Sequence, residues 1–369
     1  MHQSLQATLQ AKGHSWKDFA VAGGGGDSAM TVLKSRVVSG NAPAAAQIKG
    51  PSLQEWAQEG VLADMSDVAA TNQWDKLLLT VVGNIMKFKG KYVAVPVNVH
   101  RVNWLWANPE AFKKAGDKVP TNWDEFFAAA EKLKAAGIIP VAHGGQNWQD
   151  FTTFESVALG VGGVDFYKKA LVQLDPVTLT GPTMEKVLTT FKRIKDYTDK
   201  NAPGRDWNLA TAMVINGKAG MQFMGDWAKG EFAQAKQEAG KDYGCTFGFG
   251  PNAPYIVQGD VMVFPKTTKP DQVKAQQLLA SVITQPATQV AFSQKKGSIP
   301  IRTDVDVSKM DICAQAGVAA MKDKSRQLGN GEIYITPDQN GALQDVLTSY
   351  WNRNMPVEKV QKDIVSALR

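Results

Sequence analysis

The sequence predicts an α/β chain of two lobes, each a mostly parallel sheet flanked by helices. Three observations lead there. At 369 residues the chain exceeds the size at which a single hydrophobic core stops growing. Segments that alternate with a period of two and segments with helical spacing follow one another along most of its length. Glycines, Gly40 and Gly137, close two of the helical segments at their C-terminal ends.

Taken in order, DSAMTVLKSRVVSG reads as a helix with Asp27 as N-cap and Gly40 at its stop. AAQIKG is a short strand. SLQEWAQEGVLADM carries Leu53, Trp56, Ala57 and Val61 at helical spacing, with Ser52 and Glu55 in a capping-box pattern. The stretch from Tyr92 to Val99 alternates like a strand, after which His100, Arg101, Asn103, Trp104 and Trp106 crowd together where a strand should be ending. TNWDEFFAAAEKLKAAG is a helix capped by Thr121 and stopped by Gly137; IIPVAHGG is a strand entering a loop; WQDFTTFESVALGVGG is again a helix.

Composition excludes several classes of function. Lysines and arginines number 41 against 35 acidic residues, a net +6, but they are scattered singly or in pairs with no basic run and no interleaved aromatics. A solvated basic surface is the reading, and no nucleic-acid partner is expected. The apolar runs LLLTVV and VPVNV fall far short of the roughly 20 residues a membrane-crossing helix needs. The first residues lack the charged and apolar regions of a signal peptide. Cys245 and Cys313 have no metal-ligand spacing, and the residues alone leave open whether they are two structural thiols or one bridge.

Few motifs carry chemistry. GGGG at Gly23 to Gly26 precedes a helix and could hold an anion, but it lacks the Lys-Ser/Thr ending of a phosphate loop and reads as a flexible turn. The four histidines form no HExxH or other paired spacing, so no metal and no cofactor are expected. There is no GxSxG elbow. Asp226 and Asp260 could serve glycosidic cleavage as a carboxylate pair; the same residues could equally accept hydrogen bonds from a bound polar ligand without reaction. The ten tryptophans are more telling. Trp56 and Trp123 lie in apolar stripes and belong to the core, whereas Trp148, Trp207 and Trp227 sit beside small or polar residues at element ends. A pyranose offers apolar C–H faces and an edge of hydroxyls, so its site needs aromatic planes together with carboxylate, amide and ammonium groups. Trp227, between Asp226 and Ala228-Lys229, suits the first role.

VINGKAGMQFMGDWAKGEF, Val214 to Phe232, resembles the segment that marks family 1 extracellular solute-binding proteins of bacterial ABC importers. The likeness continues through AVPVNVHRVNWLWANPEAFKKAG, PTNWDEFFAAAEKLKAAGIIPVAHGG and KKGSIPIRTD. QIKGP, HRVNWLW, GRDWNLA and KGSIP resemble in particular the proteobacterial glucose and mannose-type binding proteins. The resemblance implies a two-lobed periplasmic binding protein of the type II arrangement, with the first lobe from residues 1–105 and 265–303 and the second from 106–259 and 308–369. Three crossings near 98–108, 258–264 and 298–307 would act as hinges, and the polar end of the first crossing would face ligand. It further implies a periplasmic protein, most simply a monomer, that captures a monosaccharide of the glucose type and delivers it to a membrane permease. A glycoside hydrolase, or a binding protein for another sugar, a polyol or a disaccharide, are the alternatives.

Carried over residue by residue, the resemblance implies that Lys49 and Lys296 donate to sugar hydroxyls, that Asp260 accepts from two neighbouring hydroxyls, and that Gln258 supplies an amide where an Asn is common. Trp227 is the stacking face. His100 contacts ligand or supports a crossing, and Arg302 pairs with a nearby acid. Gln339 stands where glucose-binding relatives carry a His, a departure that changes the hydroxyl pattern read there. The relatives also begin with a strand ahead of the helix matched by MHQSLQATLQAKGHSW, so a first strand is expected upstream of Met1. Cysteines at the positions of Cys245 and Cys313 imply a bridge within the second lobe, as an oxidising periplasm permits.

Overall fold

The computed structural model describes residues 2–19, 27–48, 50–247 and 253–369. The expectations for Lys49 and for Gly23 to Gly26 lie outside the described residues. The chain divides into two units, Met1–His100 with Gln258–Met310, and Arg101–Val257 with Asp311–Arg369. It therefore passes from one unit to the other three times, after His100, Val257 and Met310.

In the first unit three short strands pair in the order Ala46–Ile48, Val261–Val263, Val95–Pro96, both pairings antiparallel. Ile48, Val95, Val261 and Val263 are buried, together with Leu53 and Trp56 from the helix Gly50–Gln58 and Ile283 from the helix Pro270–Ile283. Ser52 lies inside the Gly50–Gln58 helix, so it is not the cap expected of it. The reason is Pro51, whose fixed φ suits a first turn and lets the helix begin earlier. The helix Pro286–Lys296 starts on Pro286 and ends at Gly297, whose φ of 90° only a residue without Cβ adopts freely. Lys295 and Lys296 thus fall in its last turn, where cations complement the helix dipole.

The second unit holds a four-stranded sheet in the order Ile139–Val141, Ala219–Met224, Trp104–Ala107, Gly244–Phe247. The first pairing is parallel and the other two antiparallel. Tyr255 to Val257 pair in parallel with Gln327–Gly329. Mostly parallel sheets were expected, and this is corrected: a strand that carries the chain out of a unit, Val95–Pro96, runs opposite to the one that brings it back, Val261–Val263. Alternation within a strand specifies its faces and says nothing about its partner's direction.

Phe126, Phe154, Tyr167, Phe191 and Leu347 are fully buried and pack the helices Trp123–Ala135, Asn147–Tyr167, Pro182–Ile194 and Pro337–Asn352 into one core. The cap of Trp123–Ala135 is Asn122, which accepts the Glu125 N–H at 2.9 Å, and not Thr121 as expected. Thr121 instead gives both its N–H and its hydroxyl to the Glu125 carboxylate, each at 2.8 Å. Cys245, on Gly244–Phe247, is joined by a disulfide to Cys313 on the helix Ile312–Met321.

Candidate functional site

In the first unit the polar groups converge on Asp260. The Val97 N–H donates to the Asp260 carbonyl at 2.8 Å and the Asp260 N–H to Asn98 Oδ1 at 2.9 Å, which fixes the backbone of one crossing against the other. The preceding residue must be small: a Cβ on Gly259 would lie 2.9 Å from the Asn98 carbonyl oxygen. The carboxylate then accepts from Gln47 Nε2 at 2.8 Å on one oxygen, and from Asn98 Nδ2 and His100 Nε2, each at 3.0 Å, on the other. Because a carboxylate can only accept, His100 carries its proton on Nε2. Lys296 Nζ stands 3.7 Å from the same oxygen. Burial pushes the Asp260 carboxyl up, but His100, Lys296 and Asn98 outweigh it and hold the group well below the usual carboxylate range.

Beside this cluster is a hollow of about 270 Å³. Val97, Met262 and Phe292 give it an apolar wall, while Gln47, Asp260, Lys295 and Lys296 give it a polar edge. An apolar face next to a carboxylate, an amide and two ammonium groups is the surface a polyhydroxylated ring requires. A larger hollow of about 420 Å³ lies in the second unit among Pro176, Val177, Thr180, Lys362 and Arg369, with no aromatic or acidic residue in its lining.

In the second unit Trp227 follows the strand Ala219–Met224 and precedes the helix Ala228–Gln234. It is half-buried, and its ring lies 6.2 Å from that of the half-buried Trp148. Trp148 is held by its indole N–H on Gln146 Oε1 at 2.9 Å, and Gln146 in turn donates to Asp206 at 2.8 Å. The turn before Trp227 is fixed from beneath by Trp106, whose indole N–H reaches the carbonyls of Met224 and Gly225 at 2.9 and 3.2 Å. The Trp227 ring folds over Gly225, where a Cβ would come within 2.1 Å of it.

The crowded stretch after Val99 has a structural use. Trp104 and Trp106 are buried and stack at 5.3 Å. Asn103 accepts the Ile256 N–H at 2.9 Å and donates to the Pro254 carbonyl at 3.0 Å. Arg101 is fully buried, with its guanidinium 4.0 Å from the Tyr255 ring centre. These groups were expected to face ligand. Asn103 instead satisfies the backbone of the neighbouring crossing, whose N–H and C=O groups would otherwise be buried without partners, while Arg101, Trp104 and Trp106 are packed in the interior.

The other expected residues are placed as follows. Gln258 ends the strand Tyr255–Gln258 and is half-buried. Gln339 completes a capping box on Pro337–Asn352, accepting the Thr336 N–H at 2.9 Å, and its Nε2 donates to the Leu368 carbonyl at 2.9 Å. Both ends of that amide serve the helix, because Gln is the residue type that closes a Thr-capped first turn. Arg302 pairs with Asp304 through two contacts of 2.8 and 2.6 Å, as expected of it. Sequence reasoning missed Gln47, Met262 and Phe292. The signal was present for Gln47, an amide in the same QIKGP motif that singled out its neighbours.

Residues 11–289 match the family described as bacterial extracellular solute-binding protein. The chain belongs to this family. A relative from Brucella suis biovar 1 (strain 1330), named a probable sugar-binding periplasmic protein, is 44% identical over 99% of this chain and 87% of its own length. Two solved structures share the fold. One is a chitin oligosaccharide binding protein with a TM-score of 0.83 at 19% identity, covering 99% of this chain and 92% of that one. The other is the solute receptor AcbH, described as having an exclusive preference for b-D-galactopyranose, with a TM-score of 0.82 at 20% identity and coverage of 99% and 94%. This solute-binding protein therefore has the two-lobed type II periplasmic fold. Its family binds and does not catalyse, which removes the hydrolase alternative. Asp226 and Asp260 are each engaged in holding a crossing, Asp226 accepting the Arg101 N–H and Asp260 accepting from Asn98 and His100.

Proposed function

We propose that this chain is the sugar-capturing component of an ABC importer, exported to the periplasm, and that its solute is a single pyranose of the glucose type passed on to a membrane permease. The observation that carries the reading is the Asp260 hollow, where Met262 and Phe292 adjoin the carboxylate, Gln47 and Lys296. Its apolar wall beside a carboxylate, an amide and two ammonium groups suits the C–H face and hydroxyl edge of a pyranose. The name of the Brucella relative supports a sugar and a periplasmic location, and the Cys245–Cys313 disulfide suits an oxidising compartment.

In this reading Asp260, Lys296, Gln258 and Lys49 meet hydroxyls, Gln47 joins them, and Trp227 is a stacking face for a sugar ring. His100 acts through Asp260. Gln339 is left out of the set, since both ends of its amide are engaged. The segments around the three passages between units serve as hinges, and the protein acts as a monomer. A monosaccharide has little apolar surface, so micromolar affinity, about 8 kcal/mol, comes from preplaced hydrogen bonds and stacking.

Thermal-shift screening against aldoses, polyols and disaccharides, followed by calorimetry, tests the proposal. A hit among aldohexoses that Asp260→Asn and Trp227→Ala each weaken supports it. Preference for a polyol or disaccharide overturns the glucose-type assignment, and the absence of any sugar hit overturns sugar capture itself.

A further inference from the structure

Trp227 stands between two residues that are each tied to a place where the chain enters the second unit. Those entry points are Arg101 and Asp311, the first residues of that unit's two segments. On one side of the indole, Asp226 is 4% exposed; its Oδ2 accepts the Arg101 N–H and its own N–H donates to the Arg101 carbonyl, both at 3.0 Å. On the other side, Lys229 is also 4% exposed and its Nζ meets Asp311 Oδ2 at 2.7 Å. The second oxygen of Asp311 caps the helix Ile312–Met321 by accepting the Ala314 N–H at 3.0 Å. Fold maintenance alone does not call for a buried ammonium here, because taking the Lys229 charge out of water offsets most of what its pairing with the partly exposed Asp311 returns. What such a pair provides is a fixed direction and distance.

We propose that Asp226 and Lys229 are positioning residues that set the Trp227 indole relative to the two entry points, so that the stacking face and the chain entries move as one body. The proposal rests on the reading that Trp227 stacks on the solute. Asp226 and Lys229 touch no solute themselves and act through the indole between them. The short helix Ala228–Gln234 is the lever: Lys229 is its second residue, and the Lys229 N–H returns to the Asp226 carbonyl at 3.0 Å, which closes the turn on which Trp227 rides.

The test uses the whole chain labelled with 5-fluorotryptophan, with the Trp227 fluorine resonance among the ten tryptophans assigned through Trp227→Phe. Asn is as good a helix cap as Asp, so Asp311→Asn removes the charge while keeping the cap. The double variant Lys229→Met/Asp311→Asn leaves no orphaned ammonium and guards against a single variant that does not fold. In the ligand-free double variant the Trp227 resonance is expected to shift or broaden while the others hold, and affinity for the best sugar of the panel is expected to fall by roughly tenfold, the scale of one lost positioned contact. Lys229→Arg, which keeps the pair, is expected to retain the wild-type resonance. An unmoved Trp227 resonance in the folded double variant overturns the proposal. If no sugar binds even the wild-type chain, the proposed function fails while the ligand-free resonance still decides the positioning role.

Discussion

His100 Nε2 donates to Asp260 Oδ2 at 3.0 Å, and the two residues belong to the segments by which the chain leaves and re-enters the first unit. His100 is 3% exposed, so this contact is made largely out of water. One acidic side chain thereby holds two crossings in register and also faces the hollow beside Phe292. Losing it has two separable effects.

Asp260→Asn is expected to weaken sugar binding by about 10- to 100-fold, since hydrogen bonds to a charged group contribute about 1.5–3 kcal/mol. The stability effect has a defined sign. A carboxyl held below its ordinary value of 3.8 stabilises the fold at pH values above that, and the contribution is lost as pH falls toward its depressed folded value. The wild-type chain should therefore unfold at higher denaturant than Asp260→Asn at neutral pH, with the gap closing only in strong acid. Calorimetry and urea titrations across pH measure both.

Glu155 should give the opposite slope. It is fully buried, accepting from Tyr167 at 2.8 Å and from Asn330 and Gly331 at 2.7 Å each. Burial pushes its carboxyl up from 4.5 to about 8, with Glu332 adding to the rise and the Gly331 N–H and Tyr167 hydroxyl opposing it. Between those values the unfolded chain binds fewer protons than the folded one, so stability falls as pH rises from about 4.5 to about 8 and levels off beyond. Glu155→Gln, neutral throughout, should flatten that part of the curve; an unchanged slope in the variant would assign it to other groups.

Reduction of the Cys245–Cys313 bridge, or its replacement by two serines, is expected to cost about 4 kcal/mol on the loop-entropy scale for its 68-residue separation. Denaturant midpoints with and without reductant read this directly. Sugar affinity of the folded fraction should change much less, because the bridge is internal to the second unit while the hydrogen bonds that fix Asp260 come from first-unit residues, Gln47, Asn98 and His100.

Gly225→Ala should damage binding more than folding. The added methyl would sit 2.1 Å from the Trp227 ring, and the half-buried indole can swing away at modest cost. A several-fold loss of affinity with a near-normal unfolding midpoint is the expected result, read by calorimetry beside a thermal melt. Equal losses in both would mean that the indole is packed as core.

Much of this was legible in the sequence, and the failures share a cause. The helix that starts at Asn147 and is interrupted at Gly163, and the burial of Trp56, follow from local spacing. Pairing of Arg302 with an acid two residues on is local as well. Gln47 reaches the Asp260 hollow only because Ala46–Ile48 pairs with Val261–Val263 in a register that sets Gln47 opposite Met262, a relation spanning most of the chain, and Phe292 comes to it from the helix Pro286–Lys296. The role of Asn98 and Asn103 was likewise hidden: each satisfies backbone in a segment far away in sequence. Asparagines that cap a crossing and asparagines that read a ligand look alike until the second strand is in place.

The bridge between Cys245 and Cys313 also has a topological result. The stretch Gln258–Met310, the second contribution to the first unit, lies wholly between the two sulfurs. It is therefore an excursion out of a covalent ring whose clasp is in the other unit. A protease cut anywhere in that excursion would leave both fragments on one non-reducing gel band, and a force that peeled the excursion open could not separate its departure point from its return.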